Sequence, residues 1–372
     1  MCIISSVLIL ITILAGLYFF SKLKYSTGTR QDETHFITTS DGWRLALHRY
    51  RPQGAKPRSE PVLLHHGLTC SHIGFDLNVG NEKHPVPSLA LWLAAKGYDV
   101  WSCDLRGRDA SEHAGHFHKK NWDWNVDDYI ERDNPAIVDY ILSKSPYKNL
   151  HWIGHSMGGI LLFCYCALNG SPKIASGICA GSGLDYTDTG SHYQPLIPYA
   201  GIAGKFGRIP AGVLAKIFAP FCGRINNMFE AFNYYPKNTA PEAARMIHGA
   251  ALFDTTGKVF HQMASLFTPG GLRSADGRTT YTELAGNVTT PMLLLAGDKD
   301  LQASPQLSEK TRKLFPGDEH QTAFFGKDYG HAQHYGHFDL LCGLRAEAEV
   351  YPHIIKWLEA HPAKKARAKK KQ

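Results

Sequence analysis

Asn149-Leu-His-Trp-Ile-Gly-His-Ser-Met-Gly-Gly-Ile-Leu-Leu-Phe, residues 149 to 163, is the stretch whose reading decides the fold. It reads as a short apolar strand, a sharp turn at Ser156, and a buried helix that ends at Asn169-Gly170-Ser171-Pro172. Gly154-x-Ser156-x-Gly158 occurs once in the chain. A serine nucleophile projected from a strand-to-helix turn needs small residues two before and two after it. The start of the helix also points free backbone N–H groups at the place where negative charge would develop. A glycine-rich turn with no chemistry is the bland alternative; the strand before and the apolar helix after weigh against it.

Working outward, apolar strand-like runs alternate with helical ones. Thr34 to Thr39 and Trp43 to Tyr50 flank Ser40-Asp41-Gly42, a hairpin turn. Pro61 to Leu68, Tyr98 to Cys103, Asn149 to Ile153, Ile174 to Cys179 and Pro291 to Gly297 follow as buried strands, with a last strand around Gln321 to Phe325. Helical patterns lie between them at Leu89 to Lys96 and Asp127 to Lys144, and an amphipathic helix over 347–359 closes the order. This alternation predicts an α/β fold with a mostly parallel, doubly wound sheet. It breaks down over 185–283, a glycine- and proline-interrupted apolar stretch expected to be a helical lid or cap. The organisation expected is a hydrolase core in two parts, 31–184 and 284–360, around that lid.

The chain has 372 residues, 44% hydrophobic and 20% charged, enough for one large domain with an insertion. Its eight cysteines form no C-x-x-C pair, and Cys164 and Cys166 read as small core residues. The net charge of +7 is concentrated at the end, since 361–372 holds six basic residues and no acidic one. Without that tail the body carries about +1. The tail is expected to be disordered and suits an anionic surface, or serves only solubility. Cys2 to Phe20 carries no charge and would span roughly 28 Å as a helix, close to a bilayer core. Residues 1–21 are therefore expected to be a membrane anchor. Lys22, Lys24 and Arg30 after it place the catalytic body in the cytoplasm by the positive-inside rule. A cleaved signal, with a secreted or luminal body, is the rival. It lacks a basic residue before the run and small residues at Leu17-Tyr18-Phe19-Phe20.

Six stretches carry a family resemblance. They are His66-Gly67-Leu68; Leu93 to Trp101 with Arg106-Gly107; Trp122-Asp123-Trp124 running to Asp133-Asn134-Pro135-Ala136; Gly154 to Gly159; Gly297 to Asp300; and Gly336-His337-Phe338-Asp339. Together they span 61–357, and the chain resembles the α/β-hydrolases, most of all the acid lipase branch of gastric and lysosomal lipases. The resemblance implies Ser156 as nucleophile, Asp300 as acid and His337 as base, in the order Ser…Asp…His. Asp298 competes with Asp300, and His331 and His334 with His337. Backbone N–H groups of Leu68 and Met157 would form the oxyanion hole. Asp339 is expected to be structural. A second histidine before Gly67, the anchor and the basic tail depart from the secreted lipases.

The expected activity is hydrolysis of carboxylic esters, of lipid or long-chain acyl type, through an acyl-enzyme. Acyl transfer or thioester hydrolysis by the same residues is the alternative within enzymes. A catalytically silent membrane-associated scaffold is the alternative of another class, disfavoured because all three triad positions are filled. No cofactor and no metal are expected: no H-E-x-x-H or phosphate loop is present, although His113, His116 and His118 cluster, as do His331, His334 and His337. Nucleic-acid binding would rest on the tail alone and is not expected.

Overall fold

The computed structural model describes residues 2–26, 28–80, 85–115, 119–170, 172–224 and 228–366. Eight strands build the main sheet: β1 (Glu33–Thr38), β2 (Arg44–Tyr50), β3 (Pro61–His65), β4 (Asp99–Asp104), β5 (Leu150–His155), β6 (Ile174–Ala180), β9 (Met292–Gly297) and β10 (Gln321–Phe325). Their spatial order is β1-β2-β4-β3-β5-β6-β9-β10. β2 pairs antiparallel with both β1 and β4, and every later pair is parallel. The hairpin and all the expected buried strands are thus present. The inner strands β3, β4, β5 and β9 are buried along their whole length. That is why they read as continuous apolar runs rather than alternating ones.

Helices cover both faces. The helix Met157–Asn169 is almost wholly buried and stops at Gly170, whose φ of 61° gives the left-handed cap that glycine supplies. The sheet's other face packs Leu89–Ala95 and the closing helix Tyr351–Ala360. Between 185 and 283 lie short helices and a two-stranded ribbon, β7 (Arg208–Ile209) with β8 (Thr255–Thr256). The first helix, α1 (Cys2–Lys24), is largely exposed except at its end. There Ser21 is buried and Tyr25, just beyond, packs on Gly249. α1 touches the helix Ala211–Phe218.

Three motif stretches meet beside the sheet. Arg106 donates through Nε to Asp133 Oδ1 at 2.9 Å and through Nη1 to Asp41 Oδ2 at 2.8 Å, and it is fully buried. Gly107 has a φ of 74°, and a Cβ there would lie 2.9 Å from the Trp124 ring. The expected helix over 127–144 contains a wide turn at Tyr129–Asp133 before Asn134–Ser143. Pro135 explains it: proline lacks an N–H and its ring clashes with the carbonyl four residues back.

One expectation is corrected. Residues 361–366, assigned to the disordered tail, are held in place at the end of the sheet where its parallel strands begin. Ala363 N donates to Glu60 Oε2 at 2.8 Å and Lys364 N to Asn149 Oδ1 at 2.7 Å. Lys148 N donates to Lys364 O and Ala366 N to Pro146 O, each at 2.8 Å. Backbone carbonyl, amide and carboxylate acceptors at this edge outweigh the local composition. The rest of the tail, 367–372, lies outside the described residues, as do His116 and His118.

Removing one partner of a buried ion pair strands the other charge without solvent. Asp133→Ala should therefore lower the unfolding free energy by about 3–5 kcal/mol in urea titrations. A loss below about 1 kcal/mol would mean that Asp41 alone satisfies Arg106.

Candidate active site

Ser156 sits between β5 and its helix with φ 54° and ψ −122°. For a residue with a Cβ this conformation costs about 1–3 kcal/mol and survives only where the surroundings enforce it. Three glycines enforce it. A Cβ on Gly154 would lie 2.3 Å from the Gly158 carbonyl carbon, and one on Gly158 would lie 2.2 Å from His65 O. A Cβ on Gly67 would lie 2.9 Å from the Ser156 Cβ, so the loop after β3 passes directly against the serine. The spacing of the motif is thus set by steric contact on three sides.

Asp300 and His337 are brought together. His337 Nδ1 lies 2.7 Å from Asp300 Oδ2, both groups buried. Asp300 Oδ1 accepts from Gln302 N at 2.8 Å and Ala303 N at 2.9 Å, which fixes the carboxylate. Gly181 leaves the room, since a Cβ there would lie 2.8 Å from His337 Nδ1. Ser156 and His337 line one cavity. The competitors go elsewhere: Asp298 accepts from Tyr335 N at 3.0 Å and pairs with His334, while His331 meets the carbonyl of Gly326. Asp339 is buried and accepts from Gly336 N at 2.9 Å and Tyr235 N at 3.0 Å, holding the loop that carries His337. Leu68 lines the same cavity, and Met157 opens the helix behind Ser156. Neither backbone N–H has another acceptor among the described residues.

The double histidine has a structural use. His65 stacks on Trp152 and meets Asn134 Oδ1 at 3.0 Å. His66 Nε2 accepts from Leu105 N at 3.2 Å, so its Nδ1 carries the proton and donates to Gly67 O at 2.9 Å. That bond holds the Gly67 carbonyl in place in the loop against the serine. Sequence reasoning missed His155, whose Nε2 lies 3.2 Å from His337 O and whose ring packs 4.6 Å from the His337 ring. It also missed Tyr193 and Gln302, joined at 2.9 Å beside Ser156. Local spacing carries no sign of either contact.

Two groups of side chains lie close enough to share a cation. In one, His48 Nε2 and His72 Nδ1 each approach Asp104 Oδ2 at 3.0 Å, with Asp109 beside them. The two imidazoles stack at 3.6 Å, and the Asp104 carboxylate accepts an N–H from each, so those two nitrogens have no lone pair to offer an ion. Burial opposes charge on His72, but Asp104 outweighs it and raises its pKa. The second group is Asp298, Asp328 and His334. Cys70, in the loop after Gly67, is buried, which pushes its thiol up to about 12.

A family model described as alpha/beta hydrolase fold matches residues 60–342. The chain belongs to the alpha/beta hydrolase fold family. A second model, a partial alpha/beta-hydrolase lipase region, matches residues 30–79. Lipase 1 of Drosophila melanogaster is 36% identical over 141 residues, covering 37% of this chain and 30% of that protein. Lipase member K of Mus musculus is 25% identical over 365 residues, covering 88% of this chain and 87% of that protein. Human gastric triacylglycerol lipase is 29% identical over 209 residues, 54% of this chain and 49% of its own. The chain spans about a third of the length of the first curated relatives it matches. Among solved structures, the Paleococcus ferrophilus monoacylglycerol lipase superposes with a TM-score of 0.58 at 17% identity, covering 86% of this chain and 99% of that chain. A bacterial membrane phospholipase A superposes at 0.56 and 16% identity, covering 96% and 95%. At these identities they speak for the fold alone.

Burial gives several histidines of this chain a common pH response. It pulls His65 and His248 down to about 4 and His66 to about 3. Unfolded histidines titrate near 6.5. The stability these neutral groups contribute is complete above that value and is lost as pH falls towards 4. Urea midpoints should drop between pH 7 and pH 4.5; a midpoint constant over that range would contradict the neutral assignment.

Proposed function

We propose that the chain is a membrane-anchored serine hydrolase that cleaves carboxylic esters of lipid or long-chain acyl type. The observation that carries this is the strained Ser156 sharing one cavity with a buried His337–Asp300 pair. Asp300 accepts the Nδ1 proton of His337, leaving Nε2 as the base. His337 takes the Ser156 proton while Oγ bonds to the ester carbonyl carbon. The oxyanion is received by the N–H groups of Leu68 and Met157, each worth about 3–4 kcal/mol. His337 then protonates the alcohol oxygen, the C–O bond breaks, and an acyl-enzyme remains. Water gives a proton to His337 as its oxygen bonds to the acyl carbon; the bond from that carbon to Oγ then breaks, His337 returns the proton to Ser156, and the acid leaves.

The substrate reading rests on shape. Two apolar cavities diverge from Ser156, of about 270 Å³ and about 300 Å³. The first is walled by Tyr186, Ile197, Met263 and Phe267, the second by Leu214, Phe218 and Phe338. One arm would take the acyl chain and the other the alcohol. Residues of 185–283 roof both arms, which supports a lid. That lid exposes Leu196, Ile202 and Phe206, and Leu214 and Phe218 on the helix that touches α1, apolar surface suited to a bilayer. Residues 4–24 of α1 are long and apolar enough to cross one. Lys22 and Lys24 favour a cytoplasmic body. The human gastric triacylglycerol lipase it resembles acts on a lipid ester by its name, which supports the same substrate class.

Hydrolysis of p-nitrophenyl esters should rise with chain length and vanish in Ser156→Ala. A preference for acetate would remove the lipid assignment. Asp300→Asn should lower kcat by about 10⁴-fold, as for a triad aspartate elsewhere, and Asp298→Asn by much less. The reverse order would reassign the acid.

A further inference from the structure

A cavity of about 920 Å³, separate from the two arms, opens where α1 meets the body. Tyr18 and Lys22 of α1 line one wall, one helical turn apart and so on one face. Lys216 of the lid helix, Arg208 and Asp254 line another, and Asp109 and Trp122 a third. Lys22 comes directly after the uncharged run, where a spanning helix meets the headgroup layer. Tyr18 and Trp122 are aromatic at the same level.

The charges do not balance inside the protein. Asp254 is spent: its Oδ1 accepts from Gly212 N at 2.9 Å and Val213 N at 3.2 Å, and its Oδ2 accepts from Arg208 Nε at 2.7 Å. Lys216 Nζ donates to the Leu252 carbonyl at 2.9 Å and has no carboxylate partner among the described residues. Burial lowers its pKa more than the nearby Asp254 and Asp109 raise it, and Lys22 lowers it a little further. Lys22 makes no ion pair among the described residues. Behind the wall, between Gly107 and Asp109, Arg108 is fully buried; its Nη1 reaches the Asp254 carbonyl, but its Nε and Nη2 have no partner. Asp109 is the one remaining carboxylate on the lining, and burial and Asp104 raise its pKa.

We infer that this cavity binds the phosphate headgroup of an anionic phospholipid, with Lys22 and Lys216 as its ligands and the acyl chains lying along α1. The anion supplies the counter-charge for two lysines that line one cavity without a carboxylate partner of their own among the described residues. It also ties α1 to the helix Ala211–Phe218, which roofs one arm of the catalytic cleft. The inference rests on the anchor reading above and extends it.

The test uses the full chain carrying Ser156→Ala, in a neutral detergent, titrated calorimetrically with dihexanoyl phosphatidate, dihexanoyl phosphatidylcholine and inorganic phosphate. One saturable phosphatidate site is expected, at least ten-fold tighter than either other probe. Lys22→Gln or Lys216→Gln should each weaken it about five-fold, the worth of one lysine at an anionic surface. Three results would overturn the inference: no saturable binding, phosphate binding as tight as phosphatidate, or phosphatidate binding that both substitutions leave unchanged, which would put the lipid in the catalytic cleft. Flotation of the same protein with neutral vesicles separates the two readings. Flotation without phosphatidate binding removes the site and keeps the anchor; failure to float removes the anchor and the inference with it.

Discussion

The contact between the backbone of Gly158 and the carbonyl of His65 is the constraint on which the rest depends. It presses the first turn of a buried helix onto the end of β3, closer than any side chain allows. The helix start is thereby aimed at the loop that follows β3. Gly67 closes on Ser156 from that side and Gly154 from beneath. The end of β3 and the turn after β5 are thus pressed together at one serine, and the unfavourable backbone at Ser156 is what their packing leaves. The polar contacts around it then serve position. His66 orients the loop, Asp339 anchors the segment bearing His337, and two backbone N–H groups fix Asp300.

Much of this was legible because it is written locally. Glycine spacing around Ser156 states a steric requirement, and apolar runs of five or six residues state burial on both faces of a parallel sheet. Ser40-Asp41-Gly42 states a turn. Separating Asp300 from Asp298 rested on spacing, and the two carboxylates do have different partners in space. What stayed hidden depends on long-range contact. Nothing near Ala363 or Lys364 announces that Glu60 and Asn149 wait for their N–H groups. Composition there favoured disorder, and the partners lie more than two hundred residues away. The link of Arg106 to Asp133 could be noticed as two motifs but not as one ion pair. Tyr193 and Gln302 carry no pattern at all.

The segment 185–283 shows why its role is harder to read than the core's. Its residues answer to two environments. Phe218 and Leu214 are half exposed, yet they also wall a cavity that reaches Ser156. A side chain with such a double role follows neither the period of a buried helix nor that of a solvated one. The segment accordingly breaks into short helical pieces, 3₁₀ turns and a two-residue ribbon. Asp254 gives it a fixed point by capping the helix Ala211–Phe218 from outside the helix.

The separation along the chain of the residues at the site has a consequence in time. α1 and the turn at Ser156 leave the ribosome well before Asp300 and His337, which lie roughly 140 and 180 residues later. At about 5–20 residues per second that interval is about 7–35 s. Through it the growing chain has its serine but neither the carboxylate nor the imidazole that pairs with it. The edge of the sheet near Glu60 stays open longer still, until Ala363 and Lys364 arrive. The turn at Ser156 is thus made before the Asp300–His337 pair that lies beside it, and Ala363 and Lys364 cover the sheet edge after both.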